Sequence, residues 1–519
     1  MPDSIFTRLV EDQHAQKRIG VVSVCSANPH VLSALAQKAV QHGFPLLVES
    51  TCNQVNQFGG YTGMTPDAFQ KFVKTITDHA GLPSHHLLFG GDHLGPEVWK
   101  NEYSDSAMVK AEELVKACVR AGYTKIHLDA SMKCADDDPT QPLSPRLSAQ
   151  RAAQLCFAAE EAAAEIGLNP VYVIGTEVPI PGGAHQSDEG VHITLPDDAI
   201  ATIEITQEEF MRLGLDAAWE RVFALVVQPG VEFADKIVYP YNHKKAADLS
   251  AILKEYKNLI FEAHSTDYQS AEALRSMVSD HFAVLKVGPA LTFALREGFV
   301  ALEAIEKEWL GKKEITVLSG LTKALETAML ENPTYWQSHY HGTPSEQALA
   351  RMNSFSDRVR YYWPQPAVQQ ALQTLIKNLT SDLLPLELIE RYLPNQYKKV
   401  SQKSLETAPL TLVYEKVWEM AEPYYAAVTP DKTGGEKPLV KVHEAYGPLA
   451  GEMIKVFLEA HDIPCMVSQE SLGVSYAIQG MDFSLASAWI MTTEENALEA
   501  RLLLDALERG DFTLDETNE

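Results

Sequence analysis

Between residues 19 and 310, eight runs rich in valine, isoleucine and leucine alternate with stretches that carry apolar residues every three or four positions. That alternation is the pattern of βα units feeding a parallel sheet, and eight such units close a barrel. The predicted strands cover 19–26, 45–51, 86–91, 125–129, 171–176, 222–228, 258–263 and 283–288. Helices are expected at 68–79, 107–121, 150–166, 247–256 and 271–282. Thr65-Pro66-Asp67 starts the first of them with a hydroxyl cap followed by proline. An open, doubly wound sheet is the alternative, but no GxGxxG follows the first run. The expected fold class is therefore α/β, a (β/α)8 TIM barrel over residues 1–315.

A chain of 519 residues exceeds what one core serves. Residues 316–400 read as a helical extension packed on the barrel. Residues 411–519 read as a small ferredoxin-like α+β module, with a β-α-β-β-α order from LVKVHEAY onward. Val178 to Ile205 is too long for an ordinary βα loop and is expected to form a lid or binding loop at the barrel mouth. The formal charge of −27 argues against nucleic-acid and anionic-membrane partners. The cysteines at 25, 52, 118, 134, 156 and 465 include no CxxC spacing, as expected of reduced thiols. The amino terminus lacks a basic region followed by an apolar stretch, and no apolar run could span a bilayer, so a cytoplasmic location is expected.

In a parallel barrel the carboxyl ends of the strands converge on one mouth. Asp92-His93 closes LLFGGDHLG, where Gly90, Gly91 and Gly95 leave room for a ligand. Other strand ends carry Asp129, Glu177, Glu262, His264 and Asp267. His93, His264 and Glu177 could together hold zinc or another divalent first-row metal; the bland alternative is a capped strand end with a hydrogen-bonded histidine. Asn53, Gln54 and Asn56, beside Gly59 and Gly60, suit sugar hydroxyls, or else form a hydrogen-bonded turn. Lys286, the Gly288 backbone and Ser265 sit where barrels hold phosphate, and Arg358 with Arg360 offer cationic forks. The alternatives are a barrel-interior ion pair for Lys286 and a surface salt-bridge strip for the arginines. His85, His86, His339 and His341 read as surface or packing residues, and Tyr361-Tyr362-Trp363 as core of the extension.

The segments ESTCNQVNQFGGYTGM (49–64), GGDHLGP (90–96), KIHLDASM (125–132), GTEVPIPGG (175–183), FEAHSTDYQ (261–269), KVGPALTFALRE (286–297) and SDRVRYYWP (356–364) resemble the Z-type (GatZ/KbaZ-like) chain family of tagatose-1,6-bisphosphate aldolase. That family is a distant relative of the zinc-dependent class II aldolases and includes 4-epimerase-like members. The resemblance implies that Asp92 is the acid/base, that His93 and His264 bind the metal, and that Glu177 stands where the class has a third histidine. The Z-type chain has been regarded as a non-catalytic partner of a separate aldolase chain. Retaining so many ionisable groups at strand ends would cost a mere support subunit stability. The expected function is thus a metal-dependent 4-epimerase interconverting D-fructose 6-phosphate and D-tagatose 6-phosphate by retro-aldol chemistry. Zinc is the expected ion, with manganese, cobalt or nickel as substitutes. A second proton-transfer group, Asp129, Glu262 or Asp267, must serve the other face. The alternative is a stabilising subunit of the aldolase. A ketose phosphate as ligand and a homo-oligomeric state complete the expectation.

Overall fold

The computed structural model describes residues 4–175, 191–311, 317–430, 439–446, 448–461, 463–469, 487–493 and 496–509. Eight parallel strands close a barrel in sequence order: β1 Val21–Val24, β2 Leu46–Thr51, β3 Leu87–Leu94, β4 Lys125–Leu128, β5 Val171–Ile174, β6 Val222–Val227, β7 Ile260–Ala263 and β8 Phe282–Val287. β8 returns to β1 with Val21 opposite Val284 and Ser23 opposite Lys286.

Successive strand residues point to opposite faces, and here that alternation sorts chemistry. Leu46 and Val48, Ile126 and Leu128, Phe261 and Ala263, Leu285 and Val287 join the outer core under the helices. Their neighbours face inward. At the amino ends these are apolar, including Leu47, Val171, Phe223, Ile260 and Val284, and the helix Ile5–His14 covers them with Phe6, Leu9 and Val10. Towards the carboxyl ends the same inward faces carry Glu49, Lys125, Glu262 and Lys286, all buried.

Two glycines of the Asp92-His93 segment explain themselves by close approach to protein rather than to a ligand. A Cβ on Gly90 would lie 2.7 Å from Glu49 Oε1, and one on Gly95 would lie 1.6 Å from the Asp129 carbonyl oxygen. The expectation that these glycines make room for a ligand is corrected accordingly. Gly95→Ala should therefore destabilise the barrel by at least ~2 kcal/mol, as for overpacking of a site that cannot relax. An unchanged unfolding midpoint would show that the strand end moves freely.

The expected insertion, Val178 to Ile205, divides. Residues 176–190 lie outside the described residues, whereas Pro196–Arg212 is a helix burying Ala199, Ile203 and Phe210. The helix predicted to reach 282 stops at Ser279, because β8 already begins at Phe282.

The extension includes helices Leu321–Glu331, Pro344–Asn353 and Pro366–Thr380. It is tied to the barrel by Asp357, which accepts from Arg296 Nε at 2.9 Å and from Thr292 Oγ1 at 2.7 Å. Helix Pro409–Val428 also belongs to this unit. Tyr424 donates to the Thr266 carbonyl at 2.5 Å, and Glu415 pairs with Lys38 at 2.8 Å. The chain accordingly divides into Met1–Pro430 and Asp431–Glu519, so the boundary falls after this helix and not at 411.

In the second unit, strands Leu439–Tyr446 and Cys465–Gln469 both pair antiparallel with Ser487–Thr493, which lies between them. Helices Pro448–Glu459 and Ala497–Arg509 accompany this sheet. Two parallel strands split by a third form the split βαβ arrangement expected of a ferredoxin-like module. Among the described residues all six cysteines are free, and no helix is long and apolar enough to cross a membrane.

Candidate active site at the barrel mouth

A cavity of about 540 Å3 opens at the carboxyl ends of the strands. Its floor rests on a closed ring of buried charge. Lys125 Nζ lies 2.6 Å from Glu49 Oε1 and 2.6 Å from Glu262 Oε2, and Lys286 Nζ contacts Glu49 Oε2 and lies 3.1 Å from Glu262 Oε1. Lys286 also holds Asp92 Oδ1 at 2.7 Å. Two lysines thus balance Glu49 and Glu262, which is how such a ring survives burial.

Asp92 and His93 are consecutive, yet both line the cavity. The β3–β4 register shifts between Gly91 and Leu94, and His93 adopts φ +48°, so a bulge turns both side chains into the mouth. His127 on β4 and His264 at the end of β7 complete a triangle of imidazoles, with ring centroids 4.8 to 5.4 Å apart. One ligand atom from each of Asp92, His93, His127 and His264 lies within 4.8 Å of the others.

Each imidazole has one nitrogen anchored to oxygen. His93 Nδ1 lies 2.7 Å from Asp129 Oδ2, His264 Nε2 lies 3.0 Å from Glu262 Oε1, and His127 Nε2 lies 3.2 Å from the Gly175 carbonyl. This is the outer-shell pattern that orients metal-binding histidines. Of the remaining nitrogens, His264 Nδ1 is buried without any partner. His127 Nδ1 accepts the His93 backbone N–H at 3.2 Å and lies 3.1 Å from Asp92 Oδ1. Three imidazoles beside a carboxylate, one with an orphaned buried nitrogen, are a donor set that fits a divalent first-row ion.

The charges follow from these contacts. Burial drives the His264 imidazole down to about 3, keeping it neutral despite Glu262. For His93 burial again opposes the charge, but Asp92 and Asp129 outweigh it and lift the imidazole to about 9. An ion bound there must displace that proton. Burial also opposes ionisation of Asp92, yet His93 and Lys286 hold its carboxyl well below the usual range.

The remaining expected residues divide by what occupies them. Lys286 is saturated by Glu49, Asp92 and Glu262, so the barrel-interior alternative holds for it and the phosphate role does not. Glu262 is fully buried in the ring and positions His264, and Asp129, on the cavity wall, positions His93. Gly288 N–H already donates to Asp267 Oδ1 at 3.1 Å, which takes the place expected for phosphate. Asn56 is consumed by its own turn, accepting from Phe58 and Gly60 N–H and donating to the Cys52 carbonyl. Gln54 Oε1 accepts from Thr51 N–H at 2.9 Å. Asn53, by contrast, is exposed on the cavity wall. Glu177 lies outside the described residues.

Arg358 is buried, not part of a surface strip, and its Nε and Nη2 have no partner; the Ser265 hydroxyl is likewise buried and unpaired. Arg360 stacks on Tyr361 with its guanidinium carbon 4.5 Å from the ring centroid. Among the described residues neither guanidinium forms an ion pair. Both arginines line the cavity together with His339 and Tyr361, the latter packed against Tyr61 and Tyr335.

Sequence reasoning passed over Glu49, Lys125 and His127. The signal was present: Lys125, His127 and Asp129 stand two apart, so one strand face carries all three inward.

A family model described as D-tagatose-1,6-bisphosphate aldolase subunit GatZ/KbaZ-like matches residues 6–429. A solved structure of a probable tagatose 6 phosphate kinase from Sinorhizobium meliloti 1021 is 41% identical with a TM-score of 0.72, over 79% of this chain and 100% of that one. The YdjI aldolase from Escherichia coli K12 is 13% identical with a TM-score of 0.33, over 72% of this chain and 97% of that one, a likeness too low to bear on function.

Proposed function

The chain belongs to the D-tagatose-1,6-bisphosphate aldolase subunit GatZ/KbaZ-like family, and from that premise we propose that it is a metal-dependent 4-epimerase interconverting D-fructose 6-phosphate and D-tagatose 6-phosphate. The observation that carries this reading is the imidazole triangle, each ring anchored from behind, beside the ionised Asp92. A divalent ion, zinc foremost, held by His93 and His264 with Glu177 as a further ligand, and by His127 once its Nδ1 gives up the His93 N–H, would supply Lewis acidity to the C2 carbonyl and C3 hydroxyl oxygens.

Asp92 presents one oxygen. Its Oδ1 is engaged by Lys286 at 2.7 Å and His127 at 3.1 Å, whereas Oδ2 has only the Cys25 thiol and His93 Nε2, each at 3.9 Å. Oδ2 therefore takes the C4 hydroxyl proton. The C3–C4 electron pair moves into the C2 carbonyl, leaving an enediolate and an aldehyde. When the aldehyde turns over and the bond re-forms on its other face, C4 is inverted.

Arg358, Arg360 and Ser265 supply the phosphate site. Arg358 keeps Nε and Nη2, and Ser265 its hydroxyl, buried without partners, and Arg360, hydrogen-bonded to Ser356, Asp357 and Tyr361, has no ion pair among the described residues; two guanidiniums match one phosphate dianion. Arg358→Ala should raise KM for fructose 6-phosphate ~10- to 100-fold, the worth of one or two charge-assisted bonds. An unchanged KM would place the phosphate elsewhere.

The word "subunit" in the family description favours a second reading, a stabilising partner of an aldolase chain. Turnover by the purified chain alone separates the two. The epimerase consumes fructose 6-phosphate unaided, and a support subunit leaves it untouched.

A further inference from the structure

Inversion at C4 needs two proton transfers: one group takes the hydroxyl proton before the C3–C4 bond opens, and another returns a proton to the C4 oxygen after the aldehyde has turned. Three carboxylates were candidates for the second task, and their surroundings separate them. Asp129 spends Oδ2 on His93 and Oδ1 on Ser131, whose N–H and hydroxyl lie at 3.0 and 2.6 Å. Glu262 is locked between two lysines and does not line the cavity. Asp267 does line it, 2% exposed, and forms no ion pair among the described residues.

Asp267 Oδ1 receives Gly288 N–H at 3.1 Å and Ala290 N–H at 2.8 Å, so both backbone donors at the start of helix Pro289–Leu310 fall on one oxygen. Among the described residues, the charged or titratable groups Arg360, Tyr268 and Tyr424 face it. Burial outweighs the two N–H bonds and Arg360 and pushes this carboxyl up to about 6, close to where an acid/base that both gives and takes a proton works best.

Resting on the epimerase reading above, we propose that Asp267 is the second catalytic acid/base, serving the face of C4 that Asp92 does not. Asp92 gains the hydroxyl proton as the C3–C4 pair moves to the C2 oxygen. C3 of the enediolate then attacks the turned aldehyde, the C4 carbonyl pair goes to oxygen, and that oxygen takes its proton from the Asp267 carboxyl. A proton passing through solvent from Asp92 to Asp267 resets the site. In the reverse direction the two exchange roles.

The bland role for Asp267 is a helix cap, and Asp267→Asn distinguishes them, because the amide oxygen still accepts both N–H groups while the side chain no longer carries an exchangeable acid. The variant is expected to keep its KM and its melting temperature at pH 5 and to lose ~10²- to 10⁴-fold in kcat, the worth of general acid–base catalysis. Asp267→Ser, which also keeps a capping oxygen, should behave alike. A readout independent of turnover follows from linkage. The native carboxyl is raised above its unfolded value of about 4, so its stabilisation is full below pH ~4 and is lost as pH rises through about 6. The wild type should therefore melt lower at pH 8 than at pH 5 relative to Asp267→Asn. If the wild type turns over and Asp267→Asn keeps its kcat within threefold, this proposal falls and the epimerase reading stands. If the wild type is inactive with every divalent ion, both fall.

Discussion

His127→Ala is expected to strip the purified protein of its divalent ion and to reduce epimerisation on the order of 10³-fold, since losing Lewis-acid assistance worth several kcal/mol costs a decade for each ~1.4 kcal/mol. The expectation rests on position. His127 sits among Asp92, His93 and His264, within reach of a common ion, and its far nitrogen is fixed by the Gly175 carbonyl at 3.2 Å. The fold should survive, because the imidazole reaches only Asp92, the His93 N–H and the Gly175 carbonyl at the mouth and takes no part in the charged ring beneath. Elemental analysis and the melting temperature of the same sample decide the matter. Full metal content in a folded His127→Ala protein would remove His127 from the ligand set.

The second large effect is expected from Lys125→Met. Lys125 does not line the cavity; it bridges Glu49 and Glu262, and none of the three side chains has solvent exposure. Removing its charge leaves two carboxylates to share Lys286 in a medium without water, and breaking such a buried pair costs about 3–5 kcal/mol. Lys286 would be drawn towards those carboxylates and away from Asp92, so turnover should fall with stability. The double variant Glu49→Met/Lys125→Met removes one charge of each sign and restores the balance. It should therefore recover much of the loss, a coupling that a double-mutant cycle measures. Additive losses would mean that the ring is not the unit that the geometry makes it.

The barrel was legible because its signal is long-range and repetitive: eight β-type runs spaced by amphipathic stretches map onto eight strands, and LLFGGDHLG becomes β3 with Asp92 and His93 at its mouth end. What failed was local. Helix Pro196–Arg212 went unread although its residues 196–205 fall in the stretch Val178 to Ile205 taken for a loop, where Ala199 and Ile203 begin its buried face behind an opening proline. The charged ring was missed because Glu49 and Lys125 lie below the strand ends, where an apolar interior is the usual filling. The bulge that brings Asp92 and His93 to the same side has no sequence mark, since it depends on His93 taking a left-handed backbone. The arginines stayed undecided in sequence for a similar reason. Asp357, at φ +43° and held by Thr292 and Arg296, sets Arg358 and Arg360 at the mouth, and only tertiary contact creates that turn.

The most direct measurement is an NMR time course of fructose 6-phosphate with the purified, metal-loaded chain, run beside an enzymatic assay for free triose phosphate. A 4-epimerase yields tagatose 6-phosphate, inverted at C4 alone, with no triose phosphate released. Fructose 6-phosphate left unchanged with every divalent ion would contradict the account and return the chain to the role of a supporting subunit, and free triose phosphate in place of tagatose 6-phosphate would make it an aldolase.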